Sequence, residues 1–253
     1  VPLTIRTETQ EFRDDASLDV ETMVDTLRST KGRSYSACPS VADWERAFGE
    51  DDDVLAFTIT SGLSGSFRAA CAAKLNCEEN SPSRRICIID SLSTGPEIVL
   101  LIEKAVSELS AGADFDAVCR SVQDYQRRTH LIFALESLHN LAQNGRVGKL
   151  AAAAAGMLGI RAVGTTSDEG TLDLLGKCRG RKRTVDFLQE EMERLGYTGG
   201  CVRIGHCRNT DSAGELRTAI LHRFPGANIR IYTLRGLCSY YAECGGVLVG
   251  FEA

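Results

Sequence analysis

Residues 53–73 have the sequence DVLAFTITSGLSGSFRAACAA, which combines three local patterns. The apolar, β-branched run 54–59 predicts a buried strand. The small polar residues 60–66 predict a tight turn, and the alanine-rich segment after them predicts a helix. A turn of this kind presents backbone N–H groups and hydroxyls as donors, and the helix dipole favours an anion there. The stretch therefore predicts either an anion site or an ordinary connection whose serines cap the helix.

The same order of patterns recurs further along the chain. RICIID (85–90) predicts a second buried strand, SLSTGP (91–96) a polar turn, and residues 97–109 a helix. Two consecutive strand–turn–helix units predict a parallel sheet with right-handed crossovers. Ligands of such sheets bind beyond the carboxyl ends of the strands. Because both turns are then expected at one edge, Ser61 and Ser91 become candidates for holding an anion.

A change in polarity predicts the start of a second domain at THLIFAL (129–135), which has the pattern of a strand. Predicted strands and helices alternate from there to the end of the chain. The predicted fold class is α/β with two domains. Residues 1–128 form the first domain, with a parallel α/β/α sheet, and residues 129–253 form the second. The polar segments 11–17 and 31–40 are predicted to be loops.

Composition and the absence of known motifs argue against several classes of function. The formal net charge is −5, which argues against nucleic-acid binding, and no apolar run is long enough for a transmembrane helix. The chain has no P-loop, no GxGxxG and no GxSxG motif. Ten cysteines include no CxxC pair, so no zinc site is predicted. Free thiols in apolar stretches indicate a reduced, cytoplasmic compartment.

Three further features leave two interpretations each. The five alanines at 151–155 predict a helix that packs closely on a ligand chain or simply on a sheet. The basic string KCRGRKR (177–183) indicates phosphate or partner contacts, or a solvated helix start. His206, at the end of the predicted strand CVRIGH, is either a core histidine or part of a site.

Five motifs together resemble those of the DegV family, in the same order along the chain. They are SACPS (36–40), ITSGLSGSF (59–67), IIDSLS (88–93), LESLHNLAQNGRVGKLAAAAAGMLGIRAV (135–163) and KCRGRKR (177–183). The resemblance covers nearly the whole chain. The opening strand that is usual in the family is absent, and the chain begins VPLTIRTE without a methionine. We therefore expect that a segment before Val1 is missing.

The resemblance implies a bacterial, cytoplasmic protein that binds a long-chain fatty acid. It implies no catalytic residue, no metal and no cofactor apart from the bound fatty acid as ligand. It implies two α/β domains, the second with a mixed sheet and the acyl chain in its core, and the carboxylate at the domain junction. The implied partner is the catalytic subunit of a fatty acid kinase, to which the acid is presented for phosphorylation.

The resemblance also implies a head-group site. Ser36 takes the place of a threonine in the family's hydroxyl loop, whereas Ala37 stands where a serine is expected. The complete set of predicted head-group residues is Ser36, Ser61, Ser64, Gly65, Ser66, Ser91, Arg146 and Glu243.

Glu243 is the main departure from the family pattern, because a histidine is expected there. A glutamate repels a carboxylate unless it is protonated. Either the contact is rebuilt through Arg146 or His206, or the ligand differs. The alternative functions are an independent small hydrolase or phosphotransferase, and a binding module for another anion.

Overall fold

A computed structural model describes residues 1–30, 32–151 and 159–253. The strands are β1 (Thr4–Arg6), β2 (Glu11–Arg13), β3 (Tyr35–Ala37), β4 (Asp53–Thr58), β5 (Arg85–Asp90), β6 (Thr129–Leu135), β7 (Ile160–Thr166), β8 (Leu172–Arg179), β9 (Cys201–His206), β10 (Asn228–Thr233) and β11 (Val247–Glu252). The helices are α1 (Val20–Ser29), α2 (Val41–Phe48), α3 (Ser66–Asn80), α4 (Pro96–Ser110), α5 (Phe115–Gln126), α6 (His139–Gln143), α7 (Arg181–Arg194), α8 (Thr210–Arg223) and α9 (Gly236–Ala242), with a 3₁₀ turn at Gly148–Leu150.

The two predicted strand–turn–helix units are confirmed. Strands β4 and β5 pair in parallel, from Asp53 opposite Arg85 to Thr58 opposite Asp90. Helix α3 follows β4, and helix α4 follows β5 with Pro96 at its start. Proline suits the first helical turn because its missing N–H has no intrahelical acceptor there. Both connecting turns consequently lie at the carboxyl edge of the pair.

A mixed sheet occupies the second half of the chain. Among the described residues its strand order is β10-β9-β11-β6-β7-β8. Strands β10 and β9 are parallel, whereas β11 runs antiparallel to both of its neighbours, β9 and β6. The predicted α/β fold, with a parallel sheet and a mixed sheet, is confirmed. The boundary between residues 128 and 129 stays a prediction.

A small antiparallel sheet, in the order β2-β1-β3, corrects the prediction that residues 11–17 and 31–40 are loops. Strands β2 (EFR) and β3 (YSA) are each three residues long and mostly polar. Such short segments carry no readable hydrophobic period, and the backbone pairing with β1 determines their conformation.

Strand β6 is buried on both faces and joins two apolar cores. Leu131, Phe133 and Leu135 contribute to a core that includes residues of β1, α1 and α9. Ile132 and Ala134 contribute to the core under α7 and α8. Because side chains alternate across a strand, one strand supplies both cores. The first core therefore combines residues from both halves of the chain.

Of the five alanines at 151–155, residues 152–155 lie outside the described residues. The basic string divides between the end of β8 and the start of α7, where Arg181 pairs with Asp211 and Glu215, and Arg183 pairs with Glu190. Of the helices that the structure describes, none has both the length and the apolar character that crossing a bilayer requires.

Candidate functional site

The two polar turns after β4 and β5 are bonded to each other. The carboxylate oxygen Oδ1 of Asp90 accepts hydrogen bonds from the N–H groups of Ser61 (3.1 Å) and Leu92 (3.2 Å). The N–H of Thr60 donates to the carbonyl of Ser93 at 2.8 Å. Leu92 has a φ of 51°, a conformation that a bulky side chain rarely adopts. These bonds hold the strained turn and its partner in one fixed arrangement.

The turn after β4 is also anchored to the second half of the chain. The Thr60 hydroxyl accepts from the N–H of Gly62 (3.0 Å) and donates to the carbonyl of Gly170 (2.8 Å). Gly170, in the hairpin between β7 and β8, has a φ of 72°, and a Cβ there would collide with the Thr60 hydroxyl. Only glycine fits this close approach. The donor-rich turn is thereby fixed over the mixed sheet.

A cavity of about 320 Å³ lies beside this turn. Its apolar wall comes mainly from β6, the start of β8, α9 and β11. Its lining residues are Leu3, Ser36, Ala37, Cys38, Ile59, Thr60, Leu63, Ser64, Gly65, Thr94, Leu131, Phe133, Leu135, Leu141, Arg146, Leu172, Leu237, Cys238, Tyr241, Ala242 and Leu248. A largely apolar cavity with few polar groups is typical of a site for an elongated apolar ligand.

Polar groups from separate parts of the chain lie together in the cavity lining. The hydroxyls of Ser36 and Tyr241 share a hydrogen bond of 2.7 Å. The guanidinium of Arg146 donates from Nε to the carbonyl of Leu63 at 3.3 Å and from Nη1 to the carbonyl of Asn144 at 2.7 Å. We use the name rim for Ser36, Ser64, Gly65, Arg146 and Tyr241 together. The rim therefore combines hydroxyls, backbone donors and a cation.

Arg146 has no carboxylate partner among the described residues. Its bonds go to neutral backbone carbonyls, which fix the guanidinium but leave its charge uncompensated. By contrast, the nearby Lys149 pairs with Asp173 at 3.0 Å. A guanidinium also matches the geometry of a carboxylate better than an ammonium does. The rim thus favours a ligand whose polar end is an anion.

Four predicted head-group residues line the cavity: Ser36, Ser64, Gly65 and Arg146. Ser64 Oγ accepts from the N–H of Ser66 at 3.2 Å, so its proton is free to point at a ligand. Gly65 lies directly before helix α3 and places that helix N-terminus at the cavity. A helix N-terminus favours negative charge.

Three further predicted head-group residues, Ser61, Ser66 and Ser91, are not among the residues that line the cavity. Ser61 donates its N–H to Asp90. Ser66 is buried in the first turn of α3, and Ser91 Oγ bonds both the carbonyl (3.0 Å) and the N–H (3.1 Å) of Ser93. The bonded groups are thus the backbone N–H of Ser61, the backbone N–H of Ser66, which donates to Ser64 Oγ, and the hydroxyl of Ser91. A direct contact between any of them and a ligand stays a prediction.

Glu243 lies in a different place from the rim. Its Oε1 accepts from the N–H of Asn140 at 3.0 Å, and it lines a second cavity of about 370 Å³. Glu243 directly follows helix α9 as its C-terminal cap and has a φ of 53°. That turn carries the carboxylate away from the first cavity. A head-group role for Glu243 stays a prediction, and the hydroxyl that α9 contributes to the cavity lining is that of Tyr241.

Sequence reasoning missed Tyr241, Thr60 and Thr94, which also line the cavity. In the string YYAECGG, Tyr241 stands two residues before the position where the histidine is expected. A second polar side chain near that position was therefore visible in the sequence. Adjacent helical positions point in different directions. Tyr240 accordingly bonds Ser34 (2.9 Å) and Asn144 (2.8 Å), away from the ligand side, whereas Tyr241 faces the cavity.

His206 has the character of a core residue. It is 6 % exposed and is not among the residues that line the cavity. Its Nδ1 accepts from the N–H of Asn209 at 3.4 Å, and burial lowers its pKa. A neutral imidazole in this position stabilises the turn after β9.

The cysteines are free thiols, and two of them, Cys38 and Cys238, line the cavity. Burial raises the pKa of Cys238 to about 11, so this thiol is protonated at neutral pH. Within residues 1–30, 32–151 and 159–253, no three His, Cys, Asp or Glu side chains are grouped as a metal site requires.

The fold and the site define a class: an α/β protein whose apolar cavity has a cation and hydroxyls at its rim. A family model described as "Uncharacterised protein, DegV family" matches residues 1–252. A DegV domain-containing protein of Streptococcus pneumoniae is 43% identical over 252 residues, which are 100% of this chain and 90% of that protein. This chain belongs to the DegV family.

Two solved structures are similar over the entire chain. One is a DegV family protein from Eubacterium eligens loaded with heptadecanoic acid, with a TM-score of 0.96, 43% identity, and coverage of 100% of this chain and 92% of the other. The second is the Streptococcus pneumoniae Fatty Acid Kinase (Fak) B3 protein loaded with linoleic acid. Its TM-score is 0.96 at 43% identity, and the match covers 100% of this chain and 90% of that one.

Proposed function

We propose that this protein binds one long-chain fatty acid, with the acyl chain in the apolar cavity and the carboxylate at the rim. The observation that carries the proposal is the combination of an apolar wall with a guanidinium that has no described carboxylate partner. The relatives loaded with heptadecanoic and linoleic acid support it. The carboxylate accepts hydrogen bonds from Ser36, Ser64 and the backbone at Gly65, and it pairs with Arg146.

The energetics fit a long chain. Each buried methylene contributes roughly 0.8 kcal/mol, so about ten of them contribute roughly 8 kcal/mol before the ordering of the chain is subtracted. The rim determines the orientation of the ligand, because a carboxylate in the apolar part of the cavity would have no hydrogen-bond partner. The ligand therefore binds in one direction, with the head group at Ser36 and Ser64.

We further propose that the protein is a non-catalytic carrier in the cytoplasm, which presents the fatty acid to the catalytic subunit of a fatty acid kinase. The similarity to the Fak B3 protein supports this role. Among the described residues that line the cavity there is no histidine, and the Cys238 thiol is protonated at neutral pH. Within that described part of the lining, no histidine base is paired with a nucleophile.

The proposed domains, residues 1–128 and 129–253, meet at this site. Ser36 and Ser64 come from the first, and Arg146 and Tyr241 from the second. In this arrangement Ser61, Ser66 and Ser91 support the head group by holding the two turns, and Glu243 acts from outside the cavity by fixing the end of α9.

Native mass spectrometry of the protein expressed in bacteria tests the function. We expect a complex whose added mass equals one long-chain fatty acid, released as the free acid on denaturation. Protein that carries no lipid and fails to take up added oleic acid would contradict the proposal. Turnover of an ester or phosphate substrate by such ligand-free protein would favour a small hydrolase or phosphotransferase.

A further inference from the structure

Phe133 lies in an unusual position in the wall of the cavity. It is on β6 between Leu131 and Leu135, which face the cavity as well. Its direct partner on the neighbouring strand β7 is Gly164. A Cβ atom placed on Gly164 would lie 2.5 Å from Cζ and 2.6 Å from Cε2 of the Phe133 ring. The far edge of the ring, rather than its base, therefore rests on the glycine.

This contact shows in which direction the Phe133 ring points. Side chains in a strand ordinarily stand roughly perpendicular to the sheet, and directly opposite pairs have Cβ atoms about 5 Å apart. A ring whose tip lies within 2.5 Å of the position that a Cβ on the opposite residue would occupy leans along the sheet instead. If the ring stood upright, it would project into the space above β6, which is the cavity. The flat ring consequently leaves that space open.

Gly164 is also the site of a local irregularity. The pairing of β7 with β8 shifts register between Val163 and Gly164, so that Gly164 faces Leu174. The Cβ position of Gly164 lies 2.5 Å from the carbonyl oxygen of Asp173 as well. Glycine inside a strand commonly marks a bulge or a close approach of another group. Gly164 lies both at a register shift and at a close approach of other groups, so no larger residue fits there.

We propose that Gly164 and Phe133 together determine which acyl chains the cavity accepts: the glycine lets the ring lie flat on the sheet, and the flat ring sets the room available to the chain. The inference rests on the proposed fatty-acid binding. Removing the ring would leave an apolar space above Gly164 that is continuous with the cavity. A larger ring would not fit on the glycine and would project into the cavity.

Two variants test this in opposite directions and leave the backbone at Gly164 unchanged. Phe133→Leu should shift the preference from myristic towards arachidic acid by at least roughly fourfold, which corresponds to about one additional buried methylene. Phe133→Trp should shift it towards myristic acid. The measurement is competition between these two acids for the delipidated protein, read by native mass spectrometry, with thermal melting to verify that each variant folds.

Ile132→Ala is the matched control, because Ile132 is the next residue of β6 but belongs to the core on the other face. It should lower the melting temperature and leave the preference unchanged. The inference alone would be overturned if neither Phe133 variant changed the preference, or if both shifted it in the same direction. It would also be overturned if Ile132→Ala shifted the preference as a Phe133 variant does. A parent protein that binds neither acid would overturn the proposed function as well, and the two failures are thereby distinguishable.

Discussion

The hydroxyl of Thr60 donates a 2.8 Å hydrogen bond to the carbonyl of Gly170, 110 residues later in the chain. Both groups are buried where the turn after β4 meets the hairpin between β7 and β8. A buried bond of this kind contributes about 1 kcal/mol, and a lost partner leaves a carbonyl unpaired. This bond holds the turn that carries Ser64 and Gly65 over the cavity.

Thr60→Val removes the hydroxyl and keeps the shape of the side chain. We expect the free energy of unfolding to fall by about 1–3 kcal/mol, because the carbonyl of Gly170 and the N–H of Gly62 both lose their partner. Urea unfolding measures this effect. Thr60→Ser keeps the hydroxyl and is the control. Equal stability of Thr60→Val and the parent would contradict the role of this bond.

Tyr241→Phe removes the hydroxyl that bonds Ser36 at the rim. We expect the affinity for oleic acid to fall roughly fivefold, which corresponds to about 1 kcal/mol for one hydrogen bond. Tyr240→Phe is the matched control, since Tyr240 bonds Ser34 and Asn144 away from the cavity. The control should lower stability rather than affinity. Titration calorimetry and thermal melting separate the two effects.

Arg146→Met removes the cation and keeps most of the side-chain length. Hydrogen bonds to charged groups contribute about 1.5–3 kcal/mol, so the affinity for oleic acid should fall by roughly tenfold to a hundredfold. The affinity for oleyl alcohol, which has no charge, should change little. In the control Lys149→Met, a cation already paired with Asp173 is removed, and both affinities should persist. Equal losses for acid and alcohol would argue against a charge-based role.

Glu243→Gln tests whether this residue contacts the head group. From its position on the N–H of Asn140, we expect no more than about a twofold change in affinity for oleic acid, because a neutral amide oxygen still accepts that bond. A carboxylate at the head group would repel the ligand, and its neutralisation would then raise the affinity by tenfold or more. Titration with oleic acid distinguishes the two outcomes.

Glu97 makes stability depend on pH. It is 4 % exposed in the first turn of α4, its Oε1 accepts from the Thr129 hydroxyl at 2.8 Å, and burial raises the pKa of its carboxyl. The folded protein therefore keeps a proton that the unfolded chain loses above about pH 4.3. The resulting stability is present at low pH and is lost as pH rises towards the folded pKa.

The variant Glu97→Gln should be free of this contribution. We expect the difference in unfolding free energy between Glu97→Gln and the parent to grow in favour of the variant as the pH rises above about 4.3, the pKa of a free glutamate. Chemical unfolding of both proteins across this range measures the difference. A difference that is independent of pH would show that Glu97 titrates normally.

Local sequence patterns were sufficient to predict elements whose own residues show a clear apolar pattern. The β-branched runs at β4 and β5, and the small residues after them, predicted the parallel pair and its two turns. The motifs at Ser36, Ser64, Gly65 and Arg146 identified four of the five rim residues through their resemblance to the DegV family. Polar strands of three residues, such as β2, depend on a partner strand and were not predictable.

The position of Glu243 was not predictable for a related reason. A motif gives the order of residues, whereas the direction of a side chain follows from the local backbone. Glu243 is the cap that follows helix α9 and has a φ of 53°, and its carboxylate accepts from the N–H of Asn140. Tyr241, inside the helix, keeps its direction towards the cavity. Contacts across a hundred residues, such as Thr60 with Gly170, are likewise products of the tertiary fold.

The rim draws its residues from positions 36, 64, 146 and 241, which are widely separated along the chain. A protease cut between Ser64 and Arg146 would consequently leave two fragments, each with only part of the rim. The two fragments would have to reassociate before the full set of rim residues is assembled again.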